Sequence, residues 1–386
     1  MHGTPAGAAA TDLPRLLPRD SERRLDWHAH TAWHGSLPYR GAAGRLIADV
    51  QAAGLTGRGG AAFPAGRKLA AVLDAARSRR RAPIVIANGA ESEPASDKDA
   101  TLLWLSPHLV LDGLQLAVEA VGADQAILYT HANRRNDVGK RLRQALEERS
   151  AVGADRVPVQ LAEAPPRFLS GQETALVNHL SGGPVIPTFM PPRITERGLA
   201  GAPTLVQNVE TLAHLTVIAR RGPRWFRAVG TVAEPGSMLC TIRRTDGAPH
   251  ITEVPLGMPL NDLLGATRPD GAVLIGGYHG TWVPAAAAGQ LTLDNHSLRA
   301  VGARAGAGIL ITLPPDRCGL AQTAAVVRYL ALESAGQCGP CLNGLSRIAV
   351  GLAELASHER GRCTATSTRP FLPIPRDSAR TEEDWI

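Results

Sequence analysis

The chain has 386 residues, of which 44% are hydrophobic and 20% are charged, a composition typical of a globular protein with two or three domains. Its net charge is +6. The basic runs at 77–81 and 134–143 belong to no recognisable nucleic-acid-binding module, so we predict solvated surfaces there and no nucleic-acid partner. No stretch reaches the roughly 18 apolar residues of a membrane span, and the beginning of the sequence lacks the pattern of a secretory signal. These features predict a cytoplasmic protein without a transmembrane segment.

Residues 1–40 are rich in Pro, Arg and His, and we predict a flexible leader there rather than a metal site on its histidines. From residue 41 to residue 230, apolar residues at helical spacing alternate with short apolar runs typical of buried strands. Helices are predicted at 45–53, from Gly66 onward, at 109–121 and at 138–149. Strands are predicted at 83–88, 126–130 and 157–162. This alternation predicts an α/β domain whose mainly parallel sheet is covered on both faces.

The pattern changes after residue 230. Short strand-like runs separated by Gly and Pro turns predict a small α+β unit over 231–313, with one short helix near residue 260. Helical spacing returns over 314–365, where two helices flank a pair of cysteines. The last residues, 366–386, are polar and Pro-rich and predict a tail.

The stretch "GLTGRGGAAFPAGRKL", residues 54–69, combines a bare backbone with basic side chains. Its glycines permit positive φ and close approach to a ligand, and the helix that follows directs free N–H groups toward the loop, an arrangement that attracts phosphate. The loop lacks the Gly-Lys-Ser/Thr of a P-loop and the spacing of a dinucleotide fingerprint. Spacing alone leaves two alternatives open, which are a phosphate-binding loop and a structural turn.

Three further motifs are ambiguous when taken one at a time. "NGAESEPASDKD", residues 88–99, follows the end of a strand, where open α/β sheets hold ligands, and is either part of a ligand site or an acidic loop. "FLSGQETALVNHL", residues 168–180, starts a helix, so its polar residues either cap that helix or bind a ligand. "PTLVQNVETLAHL", residues 203–215, places Gln207 and Asn208 just before another helix.

In this order, the four motifs resemble the NADH- and FMN-binding flavoprotein subunit of NADH:quinone oxidoreductase, respiratory complex I. Relatives of that subunit occur in bidirectional hydrogenases and NAD-linked formate dehydrogenases. The resemblance covers residues 40–360 and implies three units. These are a Rossmann-like, mainly parallel α/β domain over 41–230, a small β-grasp domain similar to soluble-ligand-binding (SLBB) domains over 231–313, and a C-terminal helical bundle over 314–365 where the family holds a [4Fe-4S] cluster.

The resemblance also implies a cofactor site. The glycine loop would hold the FMN phosphate through Gly57, Arg58, Gly59, Gly60 and Lys68, and further flavin positions are matched by Asn88, Glu91, Asn208 and Thr211. Glu93 and Glu173 match acidic residues that line the nicotinamide cleft, and Phe63 matches an aromatic residue near the nucleotide. The same motifs assign Phe168, Gly171, Gln172 and Gln207 to the cofactor site.

The sequence departs from the family mainly in the NADH half of this site. Ala90 replaces an aspartate, and the segment from Phe168 to Glu173 replaces Tyr-x-Cys-Gly-Glu-Glu, losing a phenol and a carboxylate. Arg193 replaces an aromatic residue that flanks the adenine. A stacked aromatic contributes about 0.5–1.5 kcal/mol beyond its burial, so the expected NADH affinity falls by up to about tenfold. An arginine at this position could instead stack on adenine or pair with a phosphate, including a 2′-phosphate.

The cluster motif is also altered. "ESAGQCGPC" has Ala335 where the family has its first cysteine and keeps Cys338 and Cys341, while Cys363 is a shortened version of the fourth position. A [4Fe-4S] cluster needs four ligands, for which Cys318 or His358 is a conceivable addition. Zinc on the same cysteines with His358 and no metal at all are the alternatives. Cys240 is interpreted as a small buried hydrophobic residue.

The sequence therefore predicts a flavoprotein of NADH dehydrogenase type. In this hypothesis NADH or NADPH is the substrate, FMN the cofactor and a [4Fe-4S] cluster a further possibility. The electrons pass to a protein redox partner, either ferredoxin-like or a membrane electron-transfer subunit, and no side chain acts as a catalytic acid or base. The alternative is a degenerate relative that serves as an FMN-binding or assembly subunit without NADH dehydrogenase activity.

Overall fold

The computed structural model describes residues 13–20, 23–131, 137–244, 248–265, 271–313, 317–358 and 372–374. The helices, numbered in chain order, are α1 Trp27–His34, α2 Arg45–Ala53, α3 Ala65–Arg79, α4 Lys98–Leu105, α5 Pro107–Val121, α6 Val138–Ala151, α7 Glu173–Leu180, α8 Val209–Arg221, α9 Pro223–Phe226, α10 Leu260–Leu264, α11 Ala285–Ala288, α12 Asn295–Arg299, α13 Gly319–Leu332 and α14 Leu345–His358. The strands are β1 Ile84–Gly89, β2 Gln125–Thr130, β3 Val159–Glu163, β4 Thr204–Asn208, β5 Ser237–Arg243, β6 His250–Pro255, β7 Ala272–Ile275, β8 Thr281–Pro284 and β9 Ile309–Thr312.

The first four strands form a parallel sheet in the order β3-β2-β1-β4. The strand residues are mostly apolar, with β-branched Ile, Val and Thr among them. One face of the sheet packs on α5 and α8 in the largest hydrophobic cluster, and the other face packs under α7. After β1 the chain continues through β2 to β3 on one side, whereas β4 joins β1 on the other. The crevice between the ends of β1 and β4 is therefore a topological switch point, where open α/β sheets bind ligands.

The second sheet has five strands in the order β6-β5-β9-β7-β8 and is mixed, since β5 and β9 are parallel and the other pairs antiparallel. It has its own apolar cluster, to which α10 contributes, and α13 and α14 follow it. The predicted α/β class, with a parallel sheet, a smaller α+β unit and a helical C-terminus, is confirmed. The specific likeness to SLBB domains and the domain boundaries stay predictions.

The flexible leader predicted over 1–40 is wrong for its described part, 13–20 and 23–40. Leu16 is fully buried in the main cluster, and α1 carries His30, whose Nε2 lies 2.9 Å from Asp112 Oδ2 on α5. Burial lowers the pKa of His30 despite this carboxylate. Packing and a buried polar contact therefore fix a segment whose composition alone indicated a leader.

Two further features concern the predicted tail and the membrane test. Of residues 366–386 the structure describes 372–374, where Leu372 is buried against an apolar cluster that includes Tyr278, and the rest of the predicted tail lies outside the described residues. Within the described ranges no single helix is long and apolar enough to cross a membrane, although α4 and α5, which meet at 97°, pass that test when taken as a pair.

Candidate functional site

A cavity of about 680 Å³ opens at the ends of β1 and β4, between the parallel sheet and the mixed-sheet unit. Nine of the sixteen predicted cofactor residues line it, namely Gly59, Gly60, Asn88, Glu91, Glu93, Phe168, Gly171, Gln172 and Asn208. Its size is within the range of small-molecule sites. The motifs that the sequence separates by more than a hundred residues therefore meet at one cavity.

The glycine loop forms one wall of this cavity. It is closed by a hydrogen bond from Gly57 N to Phe63 O at 2.9 Å, and α3 begins directly after it at Ala65. A Cβ on Gly59 would lie 3.3 Å from Asn208 Cβ, and Gly60 has a φ of +105°, a conformation that side chains rarely adopt. The wall is therefore bare backbone because residues with side chains fit neither position well.

Two asparagines occupy the strand ends. Asn88 on β1 is the register partner of Asn208 on β4, so the two side chains lie beside each other at the switch point. Asn88 Nδ2 donates to Gly171 O at 2.9 Å, and Asn208 Oδ1 accepts from Glu210 N at 3.0 Å as the N-cap of α8. Both side chains thus fix backbone segments around the cavity, which rigidifies its rim.

A buried charged cluster lies beneath the rim. Lys98 Nζ lies 2.7 Å from Asp99 Oδ1 and 2.8 Å from Glu210 Oε2, and the Lys98 side chain is 1% exposed. Burial acts to raise the pKa of Glu210, but Lys98 overcomes it and the pKa falls to about 2. Burial raises the pKa of Asp99 to about 6, against the effect of Lys98. Asn208 Nδ2 donates to Asp99 Oδ2 at 2.7 Å, which connects this cluster to the cavity.

Glu91 and Glu93 have different surroundings. Glu91 is 6% exposed, and its carboxylate accepts from Ser96 Oγ at 2.5 Å and from the N–H groups of Asp99 and Ala100 at the start of α4. Glu93 Oε1 accepts from Tyr278 N at 3.2 Å, in the mixed-sheet unit. The Glu91 carboxylate therefore caps α4 and also borders the cavity. The Glu93 carboxylate connects the α/β domain to the mixed-sheet unit.

The mixed-sheet unit supplies a wall that the sequence reasoning missed. Its cavity residues are Gly276, His279, Gly280, Thr281, Gly302, Arg304, Gly306 and Ala307. Sequence reasoning also missed Ser92, Ser96, Lys98 and Asp99, although they lie within the quoted acidic motif. The Gly pair after β7 and the "RAGAG" run at 304–308 were the available signals, because glycines beside a strand end often mark close approach of a ligand or of another backbone.

Seven predicted cofactor residues do not line this cavity. Gly57 and Arg58 line an adjoining cavity of about 400 Å³. Thr211 is fully buried and its Oγ1 accepts from Arg58 N at 2.9 Å. The Lys68 ammonium pairs with the Glu173 carboxylate. Gln207 is buried in β4 and Phe63 is 49% exposed. These assignments stay predictions.

The cysteine site is only partly described, because Cys363 lies outside the described residues. Cys338 Sγ and Cys341 Sγ are 3.4 Å apart in a turn before α14, and hydrogen bonding with Cys338 lowers the pKa of the Cys341 thiol. Among the described residues no group of three or more His, Cys, Asp or Glu side chains is placed to bind a metal ion. Cys240 is fully buried in the mixed-sheet core, as predicted.

A parallel sheet with a glycine loop at a helix N-terminus and a cavity at the switch point is typical of α/β proteins that bind nucleotides. Residues 50–217 match the family model of the Nuo51 FMN-binding domain. The F 2 subunit of NADH-quinone oxidoreductase from Rhizobium meliloti (strain 1021) is 30% identical over 78% of this chain and 74% of its own length. The corresponding F protein of Streptomyces coelicolor (strain ATCC BAA-471 / A3(2) / M145) is 30% identical over 78% and 69%.

A solved structure agrees with these sequence relationships. An NAD+-reducing [NiFe]-hydrogenase in the H2-reduced state superposes with a TM-score of 0.73 at 31% identity, over 81% of this chain and 54% of that chain. The present chain thus spans about half the length of the hydrogenase chain. It belongs to the family of NADH-quinone oxidoreductase F proteins, the 51K-type subunits of complex I, and the predicted family is confirmed.

Proposed function

We propose that this chain is a flavoprotein oxidoreductase that passes electrons from NADH or NADPH through FMN to a protein redox partner. The observation that carries the proposal is the cavity at the β1–β4 switch point, which is walled by the bare backbone of Gly59 and Gly60 and capped by the strand-end asparagines. The match of residues 50–217 to an FMN-binding domain supports the same cofactor.

The residues around the cavity fit a flavin nucleotide. A Cβ on Gly60 would have Ala307 N as its nearest contact, at 4.0 Å, so the missing side chain leaves room for a ligand on the loop. A Cβ on Gly171 would lie 2.7 Å from Ala90 O. The segment before α7 therefore packs too closely on the Ala90 backbone for a residue with a side chain. Glycine thus brings bare backbone to the cavity in both the loop and the segment before α7, which suits the close approach of a flat ring.

In this proposal the loop glycines and α3 would hold the phosphate end of FMN, and Asn88, Glu91 and Asn208 would border its ring. When bound, FMN would accept two electrons from a nicotinamide and release them to the next acceptor. The asparagine side chains fix the backbone segments around the cavity, and Phe168 and Leu169 in the cavity wall exclude water. Burial raises the pKa of Asp99 to about 6, so this carboxyl, which Asn208 connects to the cavity, binds a proton more readily than an exposed aspartate does.

The test is the visible absorption spectrum of the purified full chain, followed by anaerobic mixing with NADH and with NADPH in a stopped-flow instrument. We expect one FMN per chain and bleaching by at least one nicotinamide. Protein that carries no flavin and takes up none when FMN is added would contradict the proposal. The faster nicotinamide identifies the substrate.

A second candidate function is a binding or assembly subunit that holds FMN without NADH dehydrogenase activity. The observation that favours it is the nicotinamide half of the site, where Arg193 replaces the family's aromatic residue and is exposed, and where the Glu173 carboxylate pairs with Lys68. The same stopped-flow experiment separates the two functions, because FMN binding without bleaching by either nicotinamide supports this second candidate.

The proposed electron acceptor is a protein, either a ferredoxin-like protein or a membrane electron-transfer subunit. The names of the relatives support an assembly with other subunits, since they are F proteins of NADH-quinone oxidoreductases and a chain of an NAD+-reducing hydrogenase. Reduction of a candidate partner by the chain and NADH, followed at the partner's own absorption band, tests this part. No transfer to any candidate at a rate above that without the chain would argue against it.

A further inference from the structure

The sequence "CGPC", residues 338–341, lies in the connection between α13 and α14. Pro340–Gly344 forms a π-helical turn that continues directly into α14, so the two cysteines sit three residues apart at the start of a long helical segment. Cys338 lies just before this turn, and its carbonyl accepts a hydrogen bond from Leu342 N at 2.9 Å. The two Sγ atoms are 3.4 Å apart, Cys338 is exposed, and Cys341 is partly exposed. The pair is therefore both close and accessible.

Within the described residues, the donors around the pair do not make up a four-thiolate cluster. Ala335 stands where the resemblance expects the first cysteine, and the described residues contain no third donor placed to complete a metal group. Cys240 and Cys318 are both buried, in the mixed sheet and at the start of α13. A [4Fe-4S] cluster is ordinarily held by four cysteines, whereas the described part of the chain brings two thiols together here.

We infer that Cys338 and Cys341 form a reversible dithiol–disulfide pair, a two-electron redox site separate from the flavin cavity. A disulfide needs its sulfurs about 2.0 Å apart, so closure from 3.4 Å requires the two Sγ atoms to approach each other by about 1.4 Å. The spacing Cys-x-x-Cys is that of disulfide oxidoreductases. The chemical class of the reaction partner is a disulfide with accessible sulfurs.

The step is a thiol–disulfide exchange in which atoms and electrons balance. One cysteine, as thiolate, attacks a sulfur of the external disulfide and releases the first external thiolate, leaving a mixed disulfide. The second cysteine then attacks the protein sulfur of that mixed disulfide and releases the second external thiolate. The pair loses two electrons and two protons, and the external disulfide becomes two thiols.

The segment that precedes the pair contacts the α/β domain at two points. Glu333 Oε2 accepts from Phe168 N at 2.9 Å, and Phe168 lines the flavin cavity. Gln337 Nε2, next to Cys338, donates to Pro187 O at 2.7 Å. These contacts attach the cysteine turn to the α/β domain, so the pair is held at a fixed place on the molecule.

The experiment equilibrates the anaerobically purified full chain with mixtures of reduced and oxidised glutathione, blocks free thiols with N-ethylmaleimide, and maps disulfides by mass spectrometry. We expect a reversible product that lacks two hydrogen atoms and joins Cys338 to Cys341. Cys338→Ser and Cys341→Ser each abolish this product and leave a glutathione adduct on the remaining cysteine. Cys363→Ser and the buried control Cys240→Ala retain the product.

Three results would overturn the inference. The first is a wild-type chain whose two thiols stay reduced in every glutathione mixture. The second is a disulfide that joins either cysteine to Cys363. The third is stoichiometric iron with sulfide, or zinc, in the anaerobically purified wild type that is lost in both serine variants. Since none of these measurements involves flavin or nicotinamide, they remain interpretable if the proposed function fails.

Discussion

Lys98 provides the most direct test of how charge is balanced beneath the candidate site. It is the common partner of two buried carboxylates, with Nζ 2.7 Å from Asp99 and 2.8 Å from Glu210. The side chain of Lys98 is 1% exposed and that of Glu210 is 0% exposed, so solvent cannot replace the ammonium. In Lys98→Met the methionine fills a similar volume, and both carboxylates lose their shared cation.

The expected cost follows from the kind of pair that is broken. Removing one partner of a buried ion pair leaves an uncompensated charge and costs about 3–5 kcal/mol, a large part of the roughly 5–15 kcal/mol that stabilises a typical protein. With a urea m-value of about 2 kcal/mol/M, a loss of about 4 kcal/mol lowers the unfolding midpoint by about 2 M. The exposed Lys140 on α6 provides the matched control, and Lys140→Met is expected to stay within about 0.5 kcal/mol of the wild type.

The pH dependence of the stability deficit provides a second readout for Lys98→Met. In the wild type the pKa of Glu210 is lowered from 4.5 to about 2, so its contribution is present above pH 4.5 and is lost as the pH falls toward 2. Without Lys98, burial raises this pKa, and the folded variant then binds a proton more readily than its unfolded chain. The stability deficit of Lys98→Met therefore shrinks between about pH 7 and about pH 5. A deficit no larger than that of Lys140→Met, or one that stays constant with pH, would refute the reasoning.

Three further predictions concern the loop and the nucleotide half of the site. Gly59→Ala places a Cβ 3.3 Å from the Asn208 side chain. We expect this variant to bind FMN about tenfold more weakly in a fluorescence titration, a loss of about 1.4 kcal/mol. Gly351→Ala is the control, because open space surrounds that position and FMN affinity should stay unchanged. Arg193→Phe restores the aromatic residue of the family and is expected to tighten NADH binding by up to about tenfold, and unchanged affinity in stopped-flow titration would count against an adenine position there. Arg58→Met removes the hydrogen bond to Ser237 O and is expected to cost about 1–3 kcal/mol in urea unfolding, and a loss of FMN affinity without a loss of stability would instead indicate direct contact with the cofactor.

The parallel sheet was predictable because its signals are local. The apolar runs of β1, β2 and β3 and the helices between them appear in the chain at the expected spacing, and the structure confirms them. The strand-end position of Asn88 was predictable for the same reason, since an ordered alternation of strands and helices places strand ends at one edge. Predictions based on periodicity therefore succeeded wherever a segment's own pattern determines its structure.

Long-range contacts explain what the sequence could not predict. The segment before α2 has the composition of a leader, but His30 meets Asp112, which is 82 positions away, and Leu16 packs into the main core. Helix α4 was missed because it begins with the buried charges Lys98 and Asp99, which resemble a solvated loop until Glu210 is brought beside them. A charged residue is interpreted as exposed by default, and only tertiary structure supplies its counter-charge.

Arg58 shows the same limit at the centre of the loop. Its place between two glycines indicates a phosphate contact, but Nε donates to Ser237 O at 3.1 Å and Nη1 donates to Thr56 Oγ1 at 2.7 Å. Burial lowers the pKa of this guanidinium, against the opposing effect of the nearby Glu210, Glu234 and Glu253 carboxylates. One of its hydrogen bonds therefore attaches the glycine loop to the mixed sheet, and the bonds from Nη1 to Thr56 close the loop on itself. Of the three guanidinium nitrogens, Nη2 has no hydrogen-bond partner within the described residues. The charge in the motif is thus used chiefly to fix the loop, and the bare backbone of its neighbours is what faces the ligand cavity.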